Sequence, residues 1–378
     1  MLNSLQINNF RMLEDFQVRK LGRVNLIVGK NNSGKSTVLE ALQIYAGRAN
    51  QSLLISIAEE HNETYLLEDN KENSFDSELP FEDLFSGRQL PKIGEGISIG
   101  EINDEKCLKI ISGLLVEEET IVDGDSRGQE YIKITRQIIE NLDEAEGNDQ
   151  EKVLIVKKGN ELSLIHFIKN NQNHPRFLDT QSTQPCSVIP TRFIAIDELA
   201  NIWDKIALTE HEETVKKALR IIVPELENLT FVVKSSKLNR NQRQAKVKIS
   251  GLSKPVPLKS LGDGMLRILQ IVLKIFSAKD GFLLIDEFEN GLHYSVQEKV
   301  WDLLFTLSEK MNIQVFATTH SWDCIESFSK VSKANTKIEG VLFRVGKSIR
   351  KNEKGKVIAT VFDENQLYNV TQSDVEVR

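Results

Sequence analysis

Apolar and polar positions follow two periods along this chain, and each period predicts a different element. Apolar runs at Val24–Val28 (interrupted once, by Asn25), Phe282–Ile285 and Val315–Ala317 are short and end in polar residues, the pattern of strands buried on both faces in a parallel sheet. Leu5 and Ile7 alternate with polar neighbours up to Phe10, and Phe16 and Val18 suggest a second strand, with Met12–Asp15 as the turn between them. Helical spacing appears from Lys35, where Val38, Leu39 and Leu42 share a face, and again at 198–207, 210–223 (stopped by Pro224) and 265–276.

From about Gln51 to Pro190 the texture changes. Residues 59–82 are acidic and polar, reading as a surface loop or a partner-facing element. Short strands are predicted at 97–99, 107–111, 120–122, 131–135, 153–156 and 162–167, with Lys158-Gly159-Asn160 as a hairpin turn between the last two. The expected organisation is therefore a discontinuous core, 1–50 with 188–378, interrupted by a 51–187 insert of strands plus helices. No heptad repeat is sustained in the insert, which argues against a long coiled-coil arm.

Composition narrows the function classes. At 378 residues the chain has room for one large or two modest domains. The net charge of −7 argues against a global field for nucleic acid, though not against a local patch. Lys234, Lys237, Arg240, Arg243, Lys246 and Lys248 form a dense basic patch, either a solvated hairpin or a contact to phosphate backbone or an acidic partner. Cys107, Cys186 and Cys324 are widely spaced, which suits neither a disulfide framework nor a metal knuckle and fits a reducing compartment. No apolar stretch suits a bilayer and the N-terminus lacks a signal-peptide core, so the expected location is cytoplasmic.

The chemistry concentrates at the ends of the apolar strands. Gly29-Lys30-Asn31-Asn32-Ser33-Gly34-Lys35-Ser36 matches G-x-x-x-x-G-K-[ST] in full, between a predicted strand and a predicted helix. In that context the glycines let the backbone approach a ligand, and successive N–H groups at a helix N-terminus cradle polyphosphate. Gly29, Asn31, Asn32, Ser33, Gly34, Lys35, Ser36 and Thr37 are the expected nucleotide contacts. Lys35 would reach the β and γ phosphates, and the Ser36 hydroxyl would hold Mg²⁺. Asp286 and Glu287 follow the second apolar run at the strand edge where ligands sit in open α/β sheets. Asp286 would bind Mg²⁺, and Glu287 would act as general base on the attacking water. His320 ends the third run, to contact the γ-phosphate, to hold the water, or as a structural histidine. Arg11, at the end of the first strand, either faces the nucleotide or is a solvated turn residue. Leu261-Gly262-Asp263-Gly264-Met265 opens another helix, a second N-terminus suited to anions. One nucleotide needs one cradle, so this suggests a composite site completed by a second protomer.

Together these stretches resemble the ABC-type ATPase heads of the SMC, RecF and OLD group, most of all compact bacterial ATPases of the AAA family built like ABC heads. Residues 24–37 correspond to Walker A, 282–287 to Walker B, 261–265 to the signature and Thr319-His320-Ser321 to the switch histidine. Glu289-Asn290-Gly291-Leu292-His293 looks like the stretch after Walker B in the OLD-like branch, and Ile7-Asn8-Asn9-Phe10-Arg11 is typical of the group's opening. The resemblance implies an α/β head with a mixed or parallel central sheet, an N-terminal antiparallel β layer and an inserted α+β region. It also implies ATP and Mg²⁺ as ligands, and homodimerisation through the ATP sites with Gly262, Asp263 and Gly264 acting in trans. Two departures stand out: the signature serine is replaced by Gly262, and no glutamine loop is evident.

OLD nucleases continue into a Toprim domain, for which this chain has no room. The expectation is therefore an ATP-hydrolysing switch that regulates a separate effector, in bacterial anti-phage defence. The alternatives are a repair-type ATPase binding DNA through the basic patch, and a nucleotide-binding scaffold with little turnover.

Overall fold

The computed structural model describes residues 1–63, 81–123, 130–140, 150–167, 183–233, 242–348, 350 and 354–362. The chain divides into two compact units. The first comprises 1–4, 18–39 and 184–378, the second 5–17 and 40–183.

The first unit is built on a six-stranded sheet. Its strands in chain order are β3 (Val24–Val28), β9 (Cys186–Ile189), β13 (Phe282–Ile285), β14 (Gln314–Thr319), β15 (Gly340–Lys347) and β16 (Val357–Phe362). Their spatial order is β16-β15-β3-β14-β13-β9. Every pairing from β15 to β9 is parallel, and β16 closes the edge antiparallel to β15. The four central apolar strands are buried along their whole length, or nearly so, which is why their sequences do not alternate. The parallel register places the C-terminal ends of β3, β9, β13 and β14 at one edge, so Gly29, Pro190, Asp286 and His320 all emerge there.

Helices cover this sheet. Helix α5 (Asp263–Ser277) is buried along most of its length. It packs in one core with α3 (Ile196–Ile206), α4 (Glu210–Leu219), α6 (Tyr294–Lys310) and α7 (Trp322–Ala334). Within that core Phe288 stacks on Trp301, their centroids 3.8 Å apart, and Phe328 meets the Trp301 edge. Phe288 directly follows the two carboxylates, so this aromatic stack anchors the segment carrying them. A three-stranded sheet, β10 (Leu226–Val233), β11 (Arg243–Ile249) and β12 (Val256–Pro257), completes the unit.

The second unit centres on a seven-stranded sheet of β1 (Leu5–Phe10), β2 (Leu13–Val18), β4 (Gly96–Gly100), β5 (Leu108–Asp123), β6 (Glu130–Ile139), β7 (Gln150–Lys158) and β8 (Glu161–His166). The pairings from β1 through β8 are antiparallel. The Lys158-Gly159-Asn160 turn joins β7 to β8, with Gly159 at φ +60°. The sequence suggested separate strands at 107–111 and 120–122, yet β5 runs through both. Its first half pairs with β4 and β7 and its second with β6, so the polar run Glu117–Glu119 is continuous ladder. Helix α2 (Gln51–Glu60), capped by the Asn50 side chain, was not foreseen as a helix. Of the acidic stretch 59–82, residues 64–80 lie outside the described residues.

Candidate functional site

Helix α1 (Lys35–Ala46) begins inside the phosphate loop, so the N–H groups of its first turn have no helical acceptor. The loop packs against β15 so closely that a Cβ on Gly29 would meet the Val345 carbonyl at 2.3 Å and Ser33 Oγ at 2.6 Å. Only glycine fits there. The Ser33 N–H donates to the Lys30 carbonyl at 3.3 Å, closing the turn. Ser33 Oγ is buried and has no hydrogen-bond partner. The Lys35 ammonium donates to the carbonyls of Gly29 (2.8 Å) and Lys30 (3.0 Å). Burial lowers its pKa, against the opposing fields of Asp286, Glu287 and Glu289.

Asp286 lies across from this loop. Its two carboxylate oxygens each stand 3.3 Å from Ser36 Oγ. Thr318 Oγ1 donates to Oδ1 at 2.6 Å and Thr191 Oγ1 to Oδ2 at 3.2 Å. Residues 36 and 286, 250 positions apart in sequence, are thus brought together by the register of β3, β14 and β13. Glu287 sits in the left-handed region at φ +48°, costly for a side chain with a Cβ. Two contacts hold it there: its N–H donates to Thr318 Oγ1 at 2.8 Å, and its carbonyl accepts from Arg267 at 2.7 Å.

Arg267 is a determinant the sequence reading did not assign. Its guanidinium, 1% exposed, donates to the carbonyls of Pro190 (2.9 Å), Asp286 (2.7 Å) and Glu287 (2.7 Å), tying the tip of β9 to that of β13. Burial pulls its pKa down to about 10, with Asp286, Glu289 and Glu287 acting the other way, so it remains cationic at neutral pH. One signal was available: Arg267 is a lone charge on the buried face of an apolar helix. Thr191 and Thr318 were also unassigned, although both lie at the C-terminal tips of parallel strands.

His320 is half exposed, with Nδ1 at 3.3 Å from Glu289 Oε1 and 3.8 Å from Glu287 Oε1. Its N–H donates to Glu289 Oε1 at 3.1 Å. Gly262 and Asp263 are exposed at the start of α5. Gly262 has φ +98°, a conformation that a serine there would adopt only under strain, which accounts for the departure from the signature serine. A Cβ on Gly264 would lie 2.9 Å from the Gly291 carbonyl, so this helix start packs against the segment following Glu287.

The donor set suits a magnesium–triphosphate ligand. Hydroxyl and carboxylate oxygens are the hard ligands Mg²⁺ prefers, and Mg²⁺ completes its shell with water and phosphate rather than a protein cage. Among the described residues no group of three or more His, Cys, Asp or Glu could hold a metal ion. The unpartnered Ser33 hydroxyl and the open first turn of α1 present donors toward an anion.

The family described as AAA ATPase domain matches residues 1–184 and 163–325. The chain belongs to this AAA ATPase domain family. A Helicobacter pylori protein named ATP/GTP phosphatase is 24% identical to this ATPase over 361 residues, covering 88% of each chain. An uncharacterised protein of Methanocaldococcus jannaschii is 39% identical over 61 residues, 16% of this chain and 28% of that one. Solved structures similar to it include an SMC head bound to the C-winged helix domain of ScpA (12% identity, TM-score 0.47, 96% of this chain and 97% of that one) and the SMC head domain from Thermotoga maritima (12% identity, TM-score 0.43, 96% and 99%). Among the described residues no helix is long and apolar enough to cross a membrane.

Other expected site residues fall elsewhere. The Arg11 guanidinium is engaged by carboxylates of the second unit: Glu63 at 2.7 and 2.9 Å, and Glu40 at 3.1 Å. Of the basic patch, Lys234, Lys237 and Arg240 lie outside the described residues. Arg243 is held bidentate by Asp204 at 2.5 and 2.7 Å, and Lys248 pairs with Glu227 at 2.7 Å. A second basic stretch, which the sequence reading passed over, lies in the β15–β16 hairpin: Arg344, Lys347, Arg350, Lys354 and Lys356.

Proposed function

We propose that this AAA ATPase is a switch that hydrolyses ATP with Mg²⁺, closes as a homodimer around the nucleotide, and governs a separate effector protein. The observation that carries the reading is the approach of Ser36 Oγ to both oxygens of Asp286, with Glu287 beside it. In this reading the loop N–H groups and Lys35 bind the phosphates, and Ser36 and Asp286 hold Mg²⁺. Bound Mg²⁺ supplies charge neutralisation at the phosphate oxygens. Glu287 accepts the proton of the attacking water, in a backbone conformation fixed by Thr318 and Arg267. His320, within reach of Glu287 and Glu289, orients that carboxylate and the water. Arg267 is a positioning residue, because it touches only backbone carbonyls.

The helix start at Gly262-Asp263-Gly264, exposed at Gly262 and Asp263, supports the dimer, since a helix N-terminus suits a γ-phosphate presented by another protomer. The effector, and a role in bacterial anti-phage defence, rest on the resemblance to compact OLD-like ATPases. Light scattering on Glu287→Gln with ATP and Mg²⁺ tests the dimer. The expected result is a dimer that wild-type protein forms only transiently and Lys35→Ala does not form. A monomer in every nucleotide state would remove the trans role of Gly262–Gly264. Co-purification with products of neighbouring genes tests the effector, and retention that ignores Lys35→Ala would refute nucleotide control.

A further inference from the structure

The β15–β16 hairpin carries a cavity of about 220 Å³ lined by Arg344, Gly346, Lys347, Ser348, Arg350, Ile358 and Thr360. Cross-strand register pairs Arg344 with Thr360 and Gly346 with Ile358, so these four share one face of the hairpin. Gly346 forms the floor: a Cβ there would meet nothing nearer than Arg344 Nε at 3.9 Å. The missing side chain is what makes the hollow. The rim is fixed by backbone bonds, Ser348 N–H to the Lys356 carbonyl at 2.8 Å and Gly355 N–H to the Ser348 carbonyl at 3.0 Å.

Among the described residues the lining contains three cations and no carboxylate, in a protein of net charge −7. Among the described residues neither Arg344 nor Lys347 makes an ion pair, in contrast to Arg243 and Lys248 of the other basic patch. Concentrating like charges in a hollow costs energy unless an anion neutralises them. Arginine with hydroxyls at hand is the donor set that recognises phosphate. The volume lies below the range of drug-sized ligand pockets, which limits the occupant to a compact group. None of the lining residues belongs to the phosphate loop, although β15 borders that loop through the Val345 carbonyl, which packs against Gly29.

We infer that this hairpin binds a compact phosphate anion, a pyrophosphate or the terminal phosphates of a nucleotide, at a site distinct from the phosphate loop. The test is isothermal titration calorimetry of the full chain with inorganic pyrophosphate, in a Lys35→Ala background that disables the phosphate loop. One site per chain is expected to persist, weakening as salt rises. Arg344→Ala and Lys347→Ala should each weaken it about tenfold or more, as expected for hydrogen bonds to charged groups. Gly346→Val leaves every charge in place and fills the floor, and it should abolish binding while the melting temperature holds. If Arg344→Ala fails to fold, Lys347→Ala and Gly346→Val carry the test. Absence of binding in the Lys35→Ala background, or binding indifferent to Gly346→Val and Lys347→Ala, overturns the assignment. So does preference for a single-stranded oligonucleotide with no pyrophosphate binding, which would mark an open polyanion surface instead. Because Lys35→Ala removes the ATP site at the outset, failure here leaves the ATPase reading standing.

Discussion

Each unit holds a dense cluster of charged side chains, and the two clusters are finished differently. In the second unit Arg11 is gripped bidentate by Glu63 and paired with Glu40, and Glu40 also meets His61 Nε2 at 2.7 Å. Arg88 adds a contact to Asp83 at 3.3 Å. Cations and carboxylates there are matched as ion pairs, although Arg11 Nε, Glu40 Oε2 and Asp83 Oδ2 make no hydrogen bond among the described residues. At the sheet edge of the first unit, Ser33 Oγ has no hydrogen-bond partner among the described residues, Ser36 Oγ is shared at 3.3 Å between the two Asp286 oxygens, and Lys35 rests on its own loop carbonyls. A closed cluster stabilises the fold, whereas an open one keeps its donors available for a ligand.

The contrast is most sharply tested by rates. Glu287→Gln should lower ATP hydrolysis about 10²- to 10⁴-fold in a phosphate-release assay. Melting temperature should change little, because no partner of the Glu287 side chain is buried with it. A variant with near wild-type turnover would strip Glu287 of its role as base.

Next in size is the closed cluster. Glu63→Gln removes one charge of a pair whose side chains are 11% and 6% exposed. The expected loss is about 3 kcal/mol in urea unfolding, the scale for breaking a buried pair. A loss under about 1 kcal/mol would mean that the cluster is better solvated than its geometry indicates.

Arg267→Met lies between the two cases. It leaves the part-buried carbonyls of Pro190, Asp286 and Glu287 without this donor, at about 1–3 kcal/mol. It also frees the Glu287 backbone from φ +48°, so kcat should fall while KM for ATP stays near its wild-type value. Equal changes in both constants would make Arg267 a general structural residue.

The smallest effect is a pH dependence within the closed cluster. The hydrogen bond to Glu40 raises the His61 pKa above 6.5, outweighing burial, with the Glu40 and Glu63 charges adding to it and Arg11 opposing. A raised folded-state value stabilises the protein fully below the unfolded pKa of about 6.5. That stability is lost as pH rises through the folded value. Melting temperature should therefore decline slightly over that interval in the wild type and stay flatter in His61→Asn, with the effect kept small by the ring's 41% exposure. A steeper slope in His61→Asn would reverse the assignment.

Legibility in the sequence follows the range of the interaction. The phosphate loop was readable because strand, turn and helix are contiguous, and local chemistry fixes all three. Asp286, Glu287 and His320 were readable because fully buried parallel strands are apolar throughout and break polarity only at their tips. Arg267, Thr191 and Thr318 were not, since each serves through a contact to a residue 19 to 95 positions away. The hairpin hollow was missed because a glycine between basic residues looks the same in sequence whether it sits in a flat strand or floors a cavity.

The assignment of 5–17 and 40–50 to the second unit cannot be read from the residues in order, whereas the glycine-rich loop, the carboxylates at the strand tips and a change of texture near residue 50 all can. Periodicity and local turn chemistry carry that information within a few residues of where it acts. Only the tertiary structure decided which ions are spent on one another and which stay open. Arg11 turned to Glu63 and Arg243 to Asp204, while Arg344 meets no carboxylate among the described residues, because ion pairing depends on distances of a few ångströms between segments that the chain order leaves far apart.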